Sequence, residues 1–166
     1  MKTASKLSLV LILASLTAVG ISSLSQATPT SLPAAANHRL DRLAGAWFGP
    51  GTGGGQSFPG LITFSVDGSV LASAQPLGFL AETPAHGKWV CTGPNQAAYT
   101  FVALFSNLDG SFAGTSKTVG KLQYDPPTDT WGGTFQFYVF DADGNEFMGY
   151  SGIISDATRI AVEILD

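Results

Sequence analysis

Between Ser111 and Tyr124 the side chains alternate without a break. Phe112, Gly114, Ser116, Thr118, Gly120, Leu122 and Tyr124 share one parity, and Thr115, Lys117, Val119, Lys121 and Gln123 share the other. Such a period of two is the signature of a β-strand with one face on a core, and no helix satisfies it. Pro126-Pro127-Thr128-Asp129 turns the chain, and Thr130 to Phe140 repeats the pattern with Trp131, Gly133, Phe135, Phe137 and Val139 against Thr134, Gln136 and Tyr138. Two long alternating runs joined by so short a turn predict an antiparallel hairpin, to which the rest of the chain must conform.

The flanking segments read the same way. Gly49 to Gly55 is too rich in glycine for a long regular strand and reads as a loop or as a strand edge opening into one. Leu61 to Val66 places Ile62, Phe64 and Val66 on one face. Asp67-Gly68 is a hairpin signal, and Ser69 to Gln75 returns with Val70, Ala72 and Ala74 inward. Residues 76–85 hold Pro76, Gly78 and Pro84 and read as a loop. Gly87 to Cys91 is a short strand, and Ala97 to Asn107 is a nearly continuous apolar one. Asp143-Gly144-Asn145 turns into Glu146 to Ile154, and Ser155-Asp156-Ala157 turns into a final strand, Thr158 to Leu165.

The expectation is an all-β domain of eight or nine strands, each joined to the next by a short connection. No segment after residue 45 keeps a helical period beyond two turns. A two-sheet sandwich carries the same local pattern, but an up-and-down antiparallel barrel is favoured because closure removes both exposed edges. Glycines 114, 120, 133, 149 and 152 suit the sharp coiling of a small barrel.

The N-terminal quarter differs. Lys2 and Lys6 precede an apolar run from Leu7 to Val19, and Ser25-Gln26-Ala27 fits a small-x-small cleavage site. Residues 1–27 therefore read as a secretory signal peptide, and the protein as secreted or periplasmic. Residues 28–36 are a Pro-, Ser- and Ala-rich linker, and 37–166 form the barrel domain, opening with a short helix capped by Asn37 and stopped by Gly45. Signal removal takes two of the eight Lys and Arg, leaving six against twelve Asp and Glu, a net charge of −6. An acidic chain without a basic stripe argues against nucleic-acid and anionic-membrane partners. Cys91 is the single cysteine, so no intrachain disulfide forms. The low charged fraction, 12%, leaves self-association open.

Gly45-Ala46-Trp47 stands where the expected helix passes into the first strand, and Arg159 stands at the start of the final one. With the meander of about eight strands, this resembles the calycin superfamily, the lipocalins and their bacterial relatives. The resemblance implies that Arg159 packs over Trp47, a cation–π contact worth about 0.5–2 kcal/mol, and that Gly45, Trp47 and Arg159 close one end of the barrel. Gly45-Ala46-Trp47-Phe48-Gly49-Pro50-Gly51-Thr52-Gly53 is also similar to the opening of the nitrobindins, heme barrels whose iron ligand is a histidine near the C-terminus. Residues 87–166 contain no histidine, so heme is not expected, nor is any other cofactor. Allene oxide cyclase barrels are related by shape, without shared motifs.

Few residues suggest catalysis. His86, where a loop enters a strand beside Glu82, is a candidate rim acid or base; the alternative is a histidine bonded to a turn carbonyl. Asp141-x-Asp143-Gly144-Asn145 starts like a calcium loop, but the twelfth position is Gly152 rather than Glu, so a hairpin turn is expected. Ser57 lacks the Gly-x-Ser-x-Gly frame, and the Gly53-Gly54-Gly55 run lacks the Lys-Ser/Thr of a phosphate loop. No metal-ligand cluster is evident. The aromatic set is more informative. Phe64, Phe112, Tyr124, Trp131, Phe135 and Phe137 share the inward parity, interleaved with Ser116, Thr118 and small residues that leave room. The favoured expectation is a lipocalin-like barrel holding a small hydrophobic ligand against these side chains. The alternatives are an isomerase- or cyclase-like barrel enzyme using His86, and an interaction module with a filled barrel.

Overall fold

A computed structural model describes residues 41–74 and 81–164. The expected signal peptide, the expected linker and the beginning of the expected helix lie outside the described residues. The part of that helix inside them is a single 3-10 turn, Asp41–Leu43.

Nine strands follow: β1 (Gly45–Gly53), β2 (Gln56–Phe64), β3 (Ser69–Ala74), β4 (Ala81–Glu82), β5 (Ala85–Gly93), β6 (Gln96–Ser106), β7 (Phe112–Asp125), β8 (Thr130–Asp141) and β9 (Glu146–Arg159). All pairings are antiparallel. β1, β2, β3, β5, β6, β7, β8 and β9 pair in that order, and β9 returns to β1, with Trp47 opposite Arg159. Eight strands thus form a closed antiparallel barrel, and the two-residue β4 is an extra strand on β6.

The glycine-rich stretch takes the second of its two expected forms, and two other expectations are corrected. The glycine-rich stretch is strand as far as Gly53. Gly53 pairs Gln56, and Gly54 and Gly55 make a two-residue turn with φ of 57° and 79°. Both positions need positive φ, as a type I′ hairpin requires, which is why glycine fills them. The C-terminal pair of strands is one strand. Ser155-Asp156-Ala157 is not a turn but a β-bulge, seen as a register shift against both β8 and β1 and marked by Asp156 at φ 48°. After Arg159, Ile160 donates its N–H to the Ala46 carbonyl, and no regular strand continues. The ninth strand is instead β4, within the span expected to be loop.

β4 and β5 lie end to end along β6. Glu82 pairs Phe105 and His86 pairs Val102, so one extra residue sits between them at Thr83-Pro84. This is a second bulge, where a proline without an N–H is tolerated. A one-residue slip reverses which side chains face inward. Ala85 and Trp89 of β5 face the interior in regular alternation; beyond the slip Glu82, rather than Thr83, shares the face of buried Phe105.

The interior packs in two layers. At the end holding the 3-10 turn, Leu43, Trp47, Phe64, Val70, Trp89, Tyr124 and Trp131 fill the barrel, and half-buried Cys91 packs against them. At the opposite end Phe105, Phe135, Phe137 and Val139 pack with Phe58 and Tyr150.

Candidate functional site

Between these layers lies a cavity of about 260 Å³. The filled layer contributes Ile62, Tyr99, Trp131 and Ala157 to its wall, and the other layer contributes Phe58, Phe135, Phe137 and Tyr150. Small residues on the opposite wall make the space: Gly60, and the cross-strand pair Ala72 and Ala85. Phe101 stacks parallel on Tyr99 with centroids 5.6 Å apart, and Tyr150 tilts against Phe137 at 4.9 Å.

The residues singled out in the sequence fall into groups. Thr118, Trp131, Phe135 and Phe137 line the cavity. Phe64 and Tyr124 are buried in the filled layer instead, Phe64 packing edge-on to Trp89 and Trp131. Phe112 is corrected: it is 51% exposed. Phe105 pairs Gly114 but Ser106 pairs Phe112, so an extra residue at Ala113 breaks the alternation assumed to hold from Phe112 onward. The room does not come from the β7 and β8 glycines either. A side chain at Gly120 would collide with the Tyr99 ring, and one at Gly133 would meet the β7 backbone.

His86 is likewise corrected. It is exposed on β5 between inward-facing Ala85 and the half-buried Gly87, paired with outward Leu71 and Val102, and it does not meet Glu82. The Asp141 segment is the β8–β9 turn, with the Asp141 carboxylate accepting from the N–H groups of Asp143 and Asn145 at 3.0 and 2.8 Å. Among the described residues no three His, Cys, Asp or Glu side chains converge as metal ligands.

Gly45, Trp47 and Arg159 come together at the filled end. The Arg159 guanidinium lies 4.1 Å from the Trp47 ring centroid. It also donates to both Asp129 carboxylate oxygens at 2.8 and 3.0 Å, to the Ala44 carbonyl at 2.8 Å and to the Arg42 carbonyl. A side chain on Gly45, at φ 141°, would occupy the space of that guanidinium. The Trp47 Nε1–H donates to the Leu43 carbonyl at 2.9 Å, and Tyr124 donates its hydroxyl to Asp129 at 2.8 Å.

The polar end of the cavity is built around Glu82. The Ser116 hydroxyl donates to Glu82 Oε1 at 2.9 Å. Burial pushes the Glu82 carboxyl above the usual carboxylate range, and the Ser116 hydrogen bond offsets part of that. Burial also raises the Tyr150 phenol, with the nearby Glu82 charge adding to the shift.

A raised acid pKa means that the folded protein holds its proton more tightly than the unfolded chain. Stability is therefore lost as pH rises from the unfolded value through the folded one. Glu82→Gln, which cannot ionise, should melt with the wild type at pH 4 and above it at pH 7.5. A thermal-melting series of the two proteins checks this, and a difference independent of pH would contradict it.

Sequence reasoning missed Glu82 as an interior group, along with Phe58, Tyr99, Phe101 and Tyr150. The Ala97–Asn107 run is apolar on both faces, so its parity assigns nothing. Glu82 had one signal, Pro84, which marks bulges within strands.

No family model, curated protein or solved structure matches the chain.

Proposed function

We propose that this protein is a secreted or periplasmic calycin-like barrel that holds a small apolar molecule in its cavity. The observation that carries the reading is a walled space of about 260 Å³ in a barrel whose other end is tightly filled. Trp47 under Arg159 at the filled end supports the calycin kinship, and the basic and apolar N-terminal segment supports export. A cavity near 150 Å³ takes benzene, so this one encloses a body on the order of ten non-hydrogen atoms. That size favours compact aromatic or terpenoid-like molecules over long-chain fatty acids. Ligands this small bind with Kd on the order of 0.1 mM unless a strong polar contact adds to burial.

Titration of the isotope-labelled protein with propylbenzene should shift the resonances of Tyr99, Phe135 and Tyr150 in a saturable way. Ala72→Leu places a larger side chain in the cavity and should weaken that binding at least tenfold while the protein stays folded. Saturation with unchanged affinity in the variant, or no saturable shift in the wild type, would count against the reading.

A further inference from the structure

The half-buried Glu82 carboxylate is turned toward a mostly apolar cavity by a specific device, the slip at Thr83-Pro84, and is held there by Ser116 through one oxygen only. A carboxylate drawn partly out of water gains from a cationic partner. Among the described residues none supplies it. Lys88, Lys117 and Lys121 are exposed on the outer face, Arg42 is exposed, and Arg159 is committed to Asp129 at the far end. Near this carboxylate the wall is aromatic: Tyr150, whose phenol feels the Glu82 charge, tilts against Phe137, while the Tyr99–Phe101 stack lines the cavity further along β6.

We propose, resting on the ligand-holding reading above, that the cavity takes a protonated amine on a compact apolar body, with the ammonium on Glu82 and the body against the aromatic rings. Three features point the same way. The ammonium supplies the missing counter-charge and hydrogen bonds to the carboxylate oxygen that Ser116 leaves open. The ring faces favour a cation within about 6 Å of their centroids. A ligand carboxylate would bring a second negative charge to Glu82, and a hydrocarbon would cover that group without pairing it.

The experiment is a calorimetric or NMR comparison, on the full-length protein at pH 7, of four probes of similar bulk: 2-phenylethylamine, 2-phenylethanol, phenylacetate and propylbenzene. The amine is expected to bind at least tenfold tighter than the alcohol and the hydrocarbon, with phenylacetate weakest. Glu82→Gln should remove the amine's advantage over the alcohol and the hydrocarbon. If propylbenzene binds but the amine binds no better, or if phenylacetate matches it, the cavity is a ligand site and the amine assignment is overturned. An amine advantage that survives in Glu82→Gln also overturns it, since another group then reads the charge. If none of the four binds, the ligand-holding reading fails and takes this inference with it.

Discussion

Trp47→Ala lowers the unfolding free energy by about 3–5 kcal/mol, the range for removing a large aromatic from a core. The side chain is fully buried, and three partners depend on it. Tyr124 packs edge-on at 6.1 Å, the Arg159 guanidinium covers its face, and the Leu43 carbonyl accepts its N–H. Truncation leaves a void where the first and last strands meet, and it leaves the Leu43 carbonyl without its indole donor. Urea denaturation followed by circular dichroism reads the change as a lower midpoint with a similar slope. Trp47 does not border the cavity, so propylbenzene affinity of the folded fraction should be unaffected. A variant that kept its midpoint and lost the ligand would show that the tryptophan belongs to the site.

The second large effect is expected at Gly133. A methyl group there would stand 2.9 Å from Leu122 Cα and closer still to the Lys121 carbonyl oxygen. Both are backbone atoms of β7, so no side-chain rotation relieves the clash, and strands β7 and β8 must separate. Gly133→Ala should cost about 3 kcal/mol or more, at the upper end of what overpacking does. Gly60→Ala is the control. The nearest atoms to its new methyl would be the carbonyl oxygens of Gly49 and Ser73 at 3.7 and 3.9 Å, which is ordinary contact. Its midpoint should move by less than about 1 kcal/mol equivalent. Equal effects at the two positions would mean that strand propensity, rather than strand approach, sets the cost of these glycines.

Alternation was the strongest signal in the sequence, and it located strands where one face is apolar and the other polar. β7 and β8 were legible almost residue by residue for that reason. The signal failed where an extra residue enters a strand. Asp156 lies inside a continuous strand and Thr83-Pro84 between two strands that run end to end, and local chemistry does not distinguish a bulge from a turn when the partner strand is unknown. The Trp47–Arg159 pair was legible because two uncommon residue types stood at opposite ends of a meander. Three of the seven aromatic residues of the wall, Trp131, Phe135 and Phe137, were assigned for the right reason, their shared parity. Tyr99 and Phe101 were hidden in a run apolar on both faces. Tyr150 was masked by Gly149 and Gly152, which show no pattern of their own. Glu82 could not be placed inside, because its orientation follows from a register that only the pairing with β6 fixes.

Closing the barrel joins residues at opposite ends of the domain: Arg159 donates to the Ala44 carbonyl across 115 positions of sequence. Contacts this distant make folding slow, commonly milliseconds to seconds for β-rich domains, because the chain entropy of loop closure is lost before the contact forms. Until β9 has docked, β1 and β8 each present an unpaired edge. A chain made from its N-terminus therefore remains an open sheet, prone to pair with other copies, until β9 has emerged. Truncation or stalling before Arg159 thus bears on aggregation during biogenesis more directly than on the finished protein's stability.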